Sequence, residues 1–339
     1  MAETLLDRLK ARIAREGPIS VADYMAACLG DPTFGHYMRR DPFGAHGDFT
    51  TAPEISQTFG ELLGLWCAET WRQIGAPSPV NLVELGPGRG TLMADALRAV
   101  GKALPAFRDS LRLHFVETSP ALRAIQKKTI GDATWHEDIA GLPEGPMLLL
   151  ANEFFDALPI HQYVGDGRRE RMIGLDGRNL AFTEDADDIV ETCPAGQEIA
   201  AEIGRRLAAH GGAALIVDYG PAQSGPGDSL QAVKDHAYHP VLETPGEADL
   251  TAHVDFQALL AAARDAGARS YGPISQRDLL RRLGIEARIQ ALVPNADPTQ
   301  QEAIVSGYRR LTDADQMGTL FKAIALTGSD SPVPPAFDE

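Results

Sequence analysis

The chain has 339 residues, enough for one elaborated domain or two small ones. Its formal net charge is −16 and its densest basic run is the short "GRRERM", which excludes the footprint of a nucleic-acid binder while leaving an acidic surface suited to a basic protein segment. No apolar run approaches a membrane span, so no membrane insertion is expected; Cys28, Cys67 and Cys193 are too few and too scattered for a disulfide framework or a zinc site and fit a reducing cytosol.

The chain opens on "MAETLLDRLKARIAREG", with Leu5, Leu6, Leu9 and Ile13 at helical spacing and no apolar core of a secretory signal. Residues 1–76 predict a helical cap with a lid loop. Ser20 can cap "VADYMAACLG" and Gly30 can end it. After a loop rich in Gly, Pro and Asp, Thr51 and Glu54 have capping-box spacing with Pro53 in the first turn. The helix they open carries Ile55, Phe59, Leu62, Leu63 and Trp66 on one face. Gly60 and Gly64 on it would admit another element closely.

From Val80 strands alternate with helices. "VNLVELG", "LRLHFVE", "MLLLANE", "GGAALIVDYG", "ARSYGPIS" and "GTLFKAIALTG" read as strands or extended segments. "TLMADALRAVG", ended by Gly101, "SPALRAIQKKTIG", capped by Ser119, "QEIAAEIGRRLAAH" and "DFQALLAAARDAG" read as helices. This alternation predicts an α/β, Rossmann-like domain over 77–330, with a mostly parallel twisted sheet and helices on both faces. Residues 160–185, with glycine turns at strand spacing, predict an inserted antiparallel β ribbon. Residues 221–250 read as a second insertion, a long loop. Residues 331–339 form a tail.

"ELGPGRGTL" places Gly86, Gly88 and Gly90 between a strand and a helix, where amides and a helix N-terminus can face a nucleotide. The dinucleotide spacing would require a glycine at Thr91, which disfavours a nicotinamide enzyme. Glu84 beside the turn would repel a pyrophosphate but suits the cationic amino-acid end of S-adenosylmethionine. Glu117 ends the next strand, where a carboxylate can accept both ribose hydroxyls. Asp138 follows near the third strand's end, within reach of an adenine amino group.

The segments "GDFTTAPEISQTFGE", "VELGPGRGTLMAD", "ANEFFDALPI", "VDYG", "DSLQAVKDH" and "GEADLTAHVDF" span about Gly47 to Phe256. Through them the chain resembles the MidA-type family of S-adenosylmethionine-dependent methyltransferases. The resemblance implies a class I methyltransferase fold and S-adenosylmethionine as cofactor. It also implies a protein substrate, since mitochondrial members assist complex I assembly by methylating an arginine. It points to symmetric dimethylation of the NuoD-type subunit of complex I. The start lacks an Arg/Ser-rich transit segment, so a bacterial, cytoplasmic member is expected, with mitochondrial eukaryotic relatives. The candidate donor-binding set is Glu84, Gly86, Pro87, Gly88, Gly90, Glu117, Thr118, Asp138, Ile139, Asn152, Asp48 and Thr51.

In class I methyltransferases the fourth strand delivers catalytic residues, and "ANEFFDALP" occupies that place. Methyl transfer is an in-line displacement, so the nucleophile must be held aligned. A guanidinium is always protonated and is a poor nucleophile; a carboxylate accepting two of its N–H groups fixes its plane. Glu153 is the first candidate for this role and Asp156 the second, unless Asp156 caps the turn. Asn152 would position the donor or a substrate N–H. His253 is a candidate base or substrate contact, and Asp218 and Tyr219 end the fifth strand at the same edge. His236 and His239 lack an acid at metalloprotease spacing, and no metal is expected. The alternatives are a methyltransferase for a small molecule or another protein residue, and a donor-binding assembly factor without turnover.

Overall fold

A computed structural model describes residues 3–39, 50–165 and 169–338. Seven strands form the central sheet: β1 (Val80–Leu85), β2 (Leu111–Val116), β3 (Thr134–His136), β4 (Met147–Asn152), β5 (Gly212–Tyr219), β6 (Arg269–Ser275) and β7 (Phe321–Thr327). Their spatial order is β3-β2-β1-β4-β5-β7-β6. β1 to β5 are parallel, and β7 runs antiparallel between β5 and β6. β4 is buried along its whole length, which is why it reads as an unbroken apolar run rather than an alternation.

The pleat divides the core in two. Leu82, Leu148 and Leu215 face a layer with Phe59, Leu63, Trp66 and Phe107. Val83, Leu149 and Ile216 face Ala200, Ile203, Phe256 and Leu260. The first face carries the helices Gln57–Gln73 and Thr91–Ala103; the second carries Pro194–His210 and Phe256–Asp265. The first two helices pack backbone to backbone. A Cβ on Gly64 would lie 2.7 Å from Ala96 Cα, and one on Gly60 would lie 2.8 Å from the Leu92 carbonyl oxygen.

Sheet register aligns the chemistry. Leu85 pairs with Ala151 and Val116, and Asn152 pairs with Val217. The turns after β1, β2, β4 and β5 therefore open at one edge, where open parallel sheets bind ligands.

The N-terminal helices Leu5–Glu16 and Val21–Gly30 form a third core, with Leu9, Tyr24 and Met25 against Ile160, Ile173 and Leu250. Ser20 caps the second helix by accepting the Asp23 N–H, as expected. Between them Ile19–Ser20 pairs with Arg169–Asp176, so the inserted ribbon is part of a five-stranded antiparallel sheet.

Four local expectations are corrected. Thr51 makes no side-chain cap; a short helix, Ala52–Ile55, ends at Ser56, which caps the next helix by accepting the Thr58 N–H. Glu54 is drawn away from the backbone, accepting the Thr91 hydroxyl and pairing with Arg89. The helix after the glycine turn runs through Gly101 to Ala103. The stretch 221–250 contains two strands and the start of a third, Gln231–Lys234, Ala237–His239 and Asp249–Thr251, in a small antiparallel sheet.

Candidate active site

The turn after β1 holds Gly86, Gly88 and Gly90 at φ of +58°, +53° and +82°. A side chain at these angles is strained. A Cβ on Gly86 would also lie 2.8 Å from Phe154 Cδ2. Beneath the turn Glu84 is only 3% exposed and its Oε2 has no hydrogen-bond partner. Burial pushes its carboxyl up to about 8. The Asn152 Oδ1 is likewise buried without a partner. Both residues, with Thr51, Gly86, Pro87, Gly88, Arg89 and Glu153, line a small cavity of 40 Å³. Gly90 lines neither this cavity nor the next; it is the N-cap of the helix Thr91–Ala103.

A larger cavity of 410 Å³ shares Gly86, Gly88 and Glu153 with the first. Glu117, Thr118, Asp138 and Ile139 line it, as does Asp156. Glu117 Oε1 accepts the Ser119 N–H at 2.8 Å and Oε2 accepts Gln126 Nε2 at 3.1 Å. Burial raises the Glu117 carboxyl against these donors. The same Gln126 amide donates to the Gly88 carbonyl at 2.7 Å, and its oxygen accepts Trp135 Nε1 at 2.8 Å. Gln126 thus ties the β1 turn to the β2 acid. It was not singled out from the sequence; its signal is a fully buried amide one turn from Leu122 on an amphipathic helix. Asp138 is exposed and already engaged, its Oδ1 accepting the Gly141 N–H at 2.9 Å.

The cavity's further wall comes from the N-terminal segment: Ala26, Leu29, Tyr37 and Met38. Tyr37 donates its hydroxyl to Asp249 Oδ1 at 2.7 Å, and its carbonyl accepts the Ser119 hydroxyl at 2.7 Å. These contacts fasten the N-terminal cap to the small sheet and to the β2 turn. Asp48, an expected lid residue, lies outside the described residues.

The acid turn follows β4. Glu153 sits at φ +49°, uncommon for a side-chain-bearing residue. Its N–H donates to the Val217 carbonyl at 3.0 Å. Its Oε1 accepts the Ala52 N–H and Asn152 Nδ2, both at 2.9 Å. Burial, with the Asp156 charge adding, pushes the Glu153 carboxyl up to about 7. Asp156 is buried, with Oδ1 unpartnered; burial pushes it up to about 6, the nearby Tyr219 hydroxyl opposing the shift. The turn is held by Asp218, not Asp156. Asp218 Oδ2 accepts the N–H groups of Phe154, Phe155 and Asp156 at 3.1, 2.9 and 3.3 Å.

His253 is not brought to this cavity. It lines a separate depression with Glu191, Ser229 and Lys322. Its N–H donates to the Ser229 hydroxyl, and its ring meets Tyr219 edge-on at 5.7 Å.

A glycine turn after β1, acids ending β1 and β2, and a buried acid turn after β4 define a Rossmann-like methyltransferase site. The orphaned oxygens of Glu84 and Asn152 fit a donor that brings an ammonium group. Residues 62–274 match the family described as "Putative S-adenosyl-L-methionine-dependent methyltransferase", and the chain belongs to that family. Its cofactor is S-adenosylmethionine, which sets the nicotinamide reading aside.

The relatives agree. Protein arginine methyltransferase NDUFAF7, mitochondrial, from Xenopus laevis is 39% identical over 96% of this chain and 84% of its own. The Homo sapiens protein of that name is 36% identical over 95% and 83%. A Burkholderia thailandensis protein bound to S-adenosyl-homocysteine superposes with TM-score 0.83 at 26% identity, over 99% of this chain and 94% of that one. No helix among the described residues is long and apolar enough to cross a membrane.

Proposed function

We propose that this enzyme methylates an arginine side chain on a partner protein. The observation that carries the proposal is the Glu153–Asp156 pair. A buried carboxyl with an unpartnered oxygen, Asp156, and a half-buried one, Glu153, line the same cavity as the donor-site residues. An acid pair so far removed from water is costly unless a cation joins it. A protonated guanidinium brings charge and five N–H donors in one plane. The names of the curated relatives, protein arginine methyltransferases, support the same substrate chemistry. The sequence resemblance points to the NuoD-type subunit of complex I as target and to symmetric dimethylation as outcome.

When bound, S-adenosylmethionine supplies a methyl group on a sulfonium. Glu84 and Asn152 would hold its ammonium, with the Gly86–Gly88 turn facing its amino-acid end. Glu117 would accept from the ribose hydroxyls. Thr118, Asp138 and Ile139 would line the adenine side. Glu153 accepts guanidinium N–H groups and fixes the plane of the attacking nitrogen. A nitrogen that gains a methyl carbon must lose a proton. The Asp156 carboxyl, raised to about 6 and with Oδ1 unpartnered, would take it.

The test has two parts. Purified enzyme with S-adenosylmethionine should methylate the recombinant NuoD-type subunit at an arginine, read by peptide mass spectrometry. In a deletion strain the same peptide should lose that mass increment. Methylation of lysine or of a small molecule instead would overturn the arginine reading while leaving donor binding intact.

A further inference from the structure

Lys322 and His253 line a depression of 550 Å³ that the donor and acceptor sites leave unused. It opens at the sheet edge that carries the acid turn, where Gly220 and Pro221 follow β5 and Lys322 lies at the start of β7. The Lys322 ammonium donates to the Thr319 carbonyl, and to the Leu320 carbonyl at 3.1 Å. Two carbonyls neutralise no charge, and among the described residues no carboxylate pairs with this half-buried ammonium. Its charge reaches the His253 imidazole, neither of whose ring nitrogens has a hydrogen-bond partner among the described residues. The two acids of the depression are already engaged. Glu191 accepts the Ser229 N–H at 3.0 Å, the Ser229 hydroxyl, and Gln162 Nε2 at 2.8 Å. Asp255 Oδ1 accepts the Ser224 hydroxyl at 2.8 Å and the Ala258 N–H at 2.9 Å. What this surface offers to a ligand is therefore a lysine beside an imidazole.

The depression adjoins the acid turn. Asp156 to Pro159 line the donor cavity, and the next residue, Ile160, lines the depression. The Asp156 carbonyl accepts the Ala252 N–H at 2.9 Å, one residue before His253. Tyr219 stands between the two places, its ring edge-on to His253 and its hydroxyl near Asp156. Leu320, 47% exposed, and Pro221 add an apolar rim. A chain whose arginine enters at Glu153 and Asp156 must cross the surface around that turn. We propose that this depression binds the substrate protein beside its target arginine, with Lys322 and His253 taking an acidic side chain a few residues away. The proposal rests on the arginine reading above. Recognition then reads two opposite charges at a set spacing, guanidinium to the acid pair and carboxylate to the lysine. An arginine without that acid nearby should be a poor substrate.

Steady-state kinetics with the recombinant NuoD-type subunit test this. Lys322→Met keeps the apolar stem and removes the charge. Its KM for the subunit should rise about ten-fold, the size of one charge-assisted contact, with kcat and S-adenosylmethionine affinity within about two-fold. Lys322→Glu should raise KM further by repulsion. In the substrate, each Asp and Glu within about six residues of the methylated arginine is changed to Lys in turn, a reach of roughly 20 Å of extended chain. One such change should raise KM for the wild-type enzyme and be partly rescued by Lys322→Glu. His253→Ala should give a smaller rise, and it carries the comparison if the Lys322 variants do not fold. An unchanged KM in both Lys322 variants would overturn the proposal. So would losses of kcat or donor affinity as large as the change in KM, which would make Lys322 a brace for the Thr319 and Leu320 carbonyls. An unchanged KM beside a shift in oligomeric mass would give the depression to a second copy of this chain. Wild-type enzyme that leaves the subunit unmethylated would overturn the substrate reading, and this proposal with it. Arginine methylation that no charge reversal in the substrate affects would sink the Lys322 role alone.

Discussion

The Asp218 carboxylate at the end of β5 accepts the Phe155 N–H at 2.9 Å, inside the turn that carries Glu153 and Asp156. The neighbouring N–H groups of Phe154 and Asp156 converge on the same oxygen. Its other oxygen accepts the Tyr219 N–H at 2.9 Å. One buried side chain thus fixes the direction of two others that face the cavity. Burial and the charges of Asp156 and Glu153 push Asp218 upward, while these donors oppose the shift.

Asp218→Ala should leave several buried N–H groups without acceptors and lower unfolding free energy by about 3–5 kcal/mol, with loss of turnover. Asp218→Asn keeps one acceptor oxygen and should lose about 1–2 kcal/mol. Urea denaturation of the two variants checks the order. Equal stability for both would mean that the three-fold contact does not hold the turn.

The parts legible in the sequence are those with a sustained local pattern. β4 and β5 read as apolar runs because both faces are covered, and the glycine turn reads because three positive φ angles need glycine. The small sheet in 221–250 reads as loop because its strands are short and set among Gly, Pro and Asp. The helices Gln276–Arg282, Ile285–Leu292 and Pro298–Thr312 leave no sustained pattern in the sequence. Gly284, Pro294 and Pro298 divide them before any one face repeats long enough. The N-terminal wall of the cavity was hidden for another reason. Leu29 and Tyr37 already have a local explanation, as helix residues with a core face, and their place over the donor cavity is a long-range fact. Asp218 was visible as an acid at the right edge, but its hold on three successive amides depends on the β4–β5 register.

Donor binding should release protons. Burial pushes the Glu84 carboxyl up to about 8, so at pH 7 it is expected to be mostly protonated. An ammonium beside it favours the ionised form and lowers its pKa, so the proton leaves as the donor enters. The calorimetric enthalpy of S-adenosylmethionine binding at pH 7 should vary with buffer ionisation enthalpy, with a slope approaching one proton released. Affinity should rise with pH up to about 8. Glu84→Gln should abolish the buffer dependence; a slope of zero in the wild type would remove Glu84 from the donor site.

The same groups set the pH dependence of stability. Glu84, Glu153 and Asp156 have folded-state values near 8, 7 and 6, all above their unfolded values. A raised carboxyl binds its proton more tightly when folded. Its stabilising contribution is full below the unfolded value and is lost as pH rises through the folded one. These carboxyls should therefore lower the melting temperature of the free protein as pH rises from about 4.5 to about 8, and saturating S-adenosylmethionine should flatten the upper part of that fall. Melting curves of Glu84→Gln, with a smaller decline, would assign the share due to Glu84.

Donor and acceptor roles should separate by mutation. Glu117→Ala removes the candidate ribose acceptor and also frees Gln126 from one of its partners. Donor affinity should fall ten-fold or more, about 1.4 kcal/mol at the least. Glu153→Ala should leave that affinity nearly unchanged, because its carboxylate is assigned to the acceptor. Equal losses in both variants would show that the two roles have been exchanged or shared.

Glu153→Gln carries the sharpest test of the arginine chemistry. The substitution keeps the size of the side chain and one acceptor oxygen, so the contact from the Ala52 N–H can persist. It removes the charge and the second acceptor, and a neutral amide cannot pair bidentately with a guanidinium fork. Turnover should fall by two orders of magnitude or more, roughly 3 kcal/mol of transition-state stabilisation. Wild-type kcat/KM should rise with pH through about 7, because only the ionised Glu153 binds the cation, and that limb should vanish in the Gln variant. Asp156→Asn should also lose activity, since the turn is held by Asp218 and the Asp156 side chain is left for chemistry. A target peptide with lysine in place of arginine should be a poor substrate, as an ammonium lacks the planar pair of donors. Near wild-type methylation by the Gln variant, or equal use of lysine and arginine, would reduce the Glu153 carboxylate to a brace for the Ala52 N–H and move the search for the catalytic acid to Asp156.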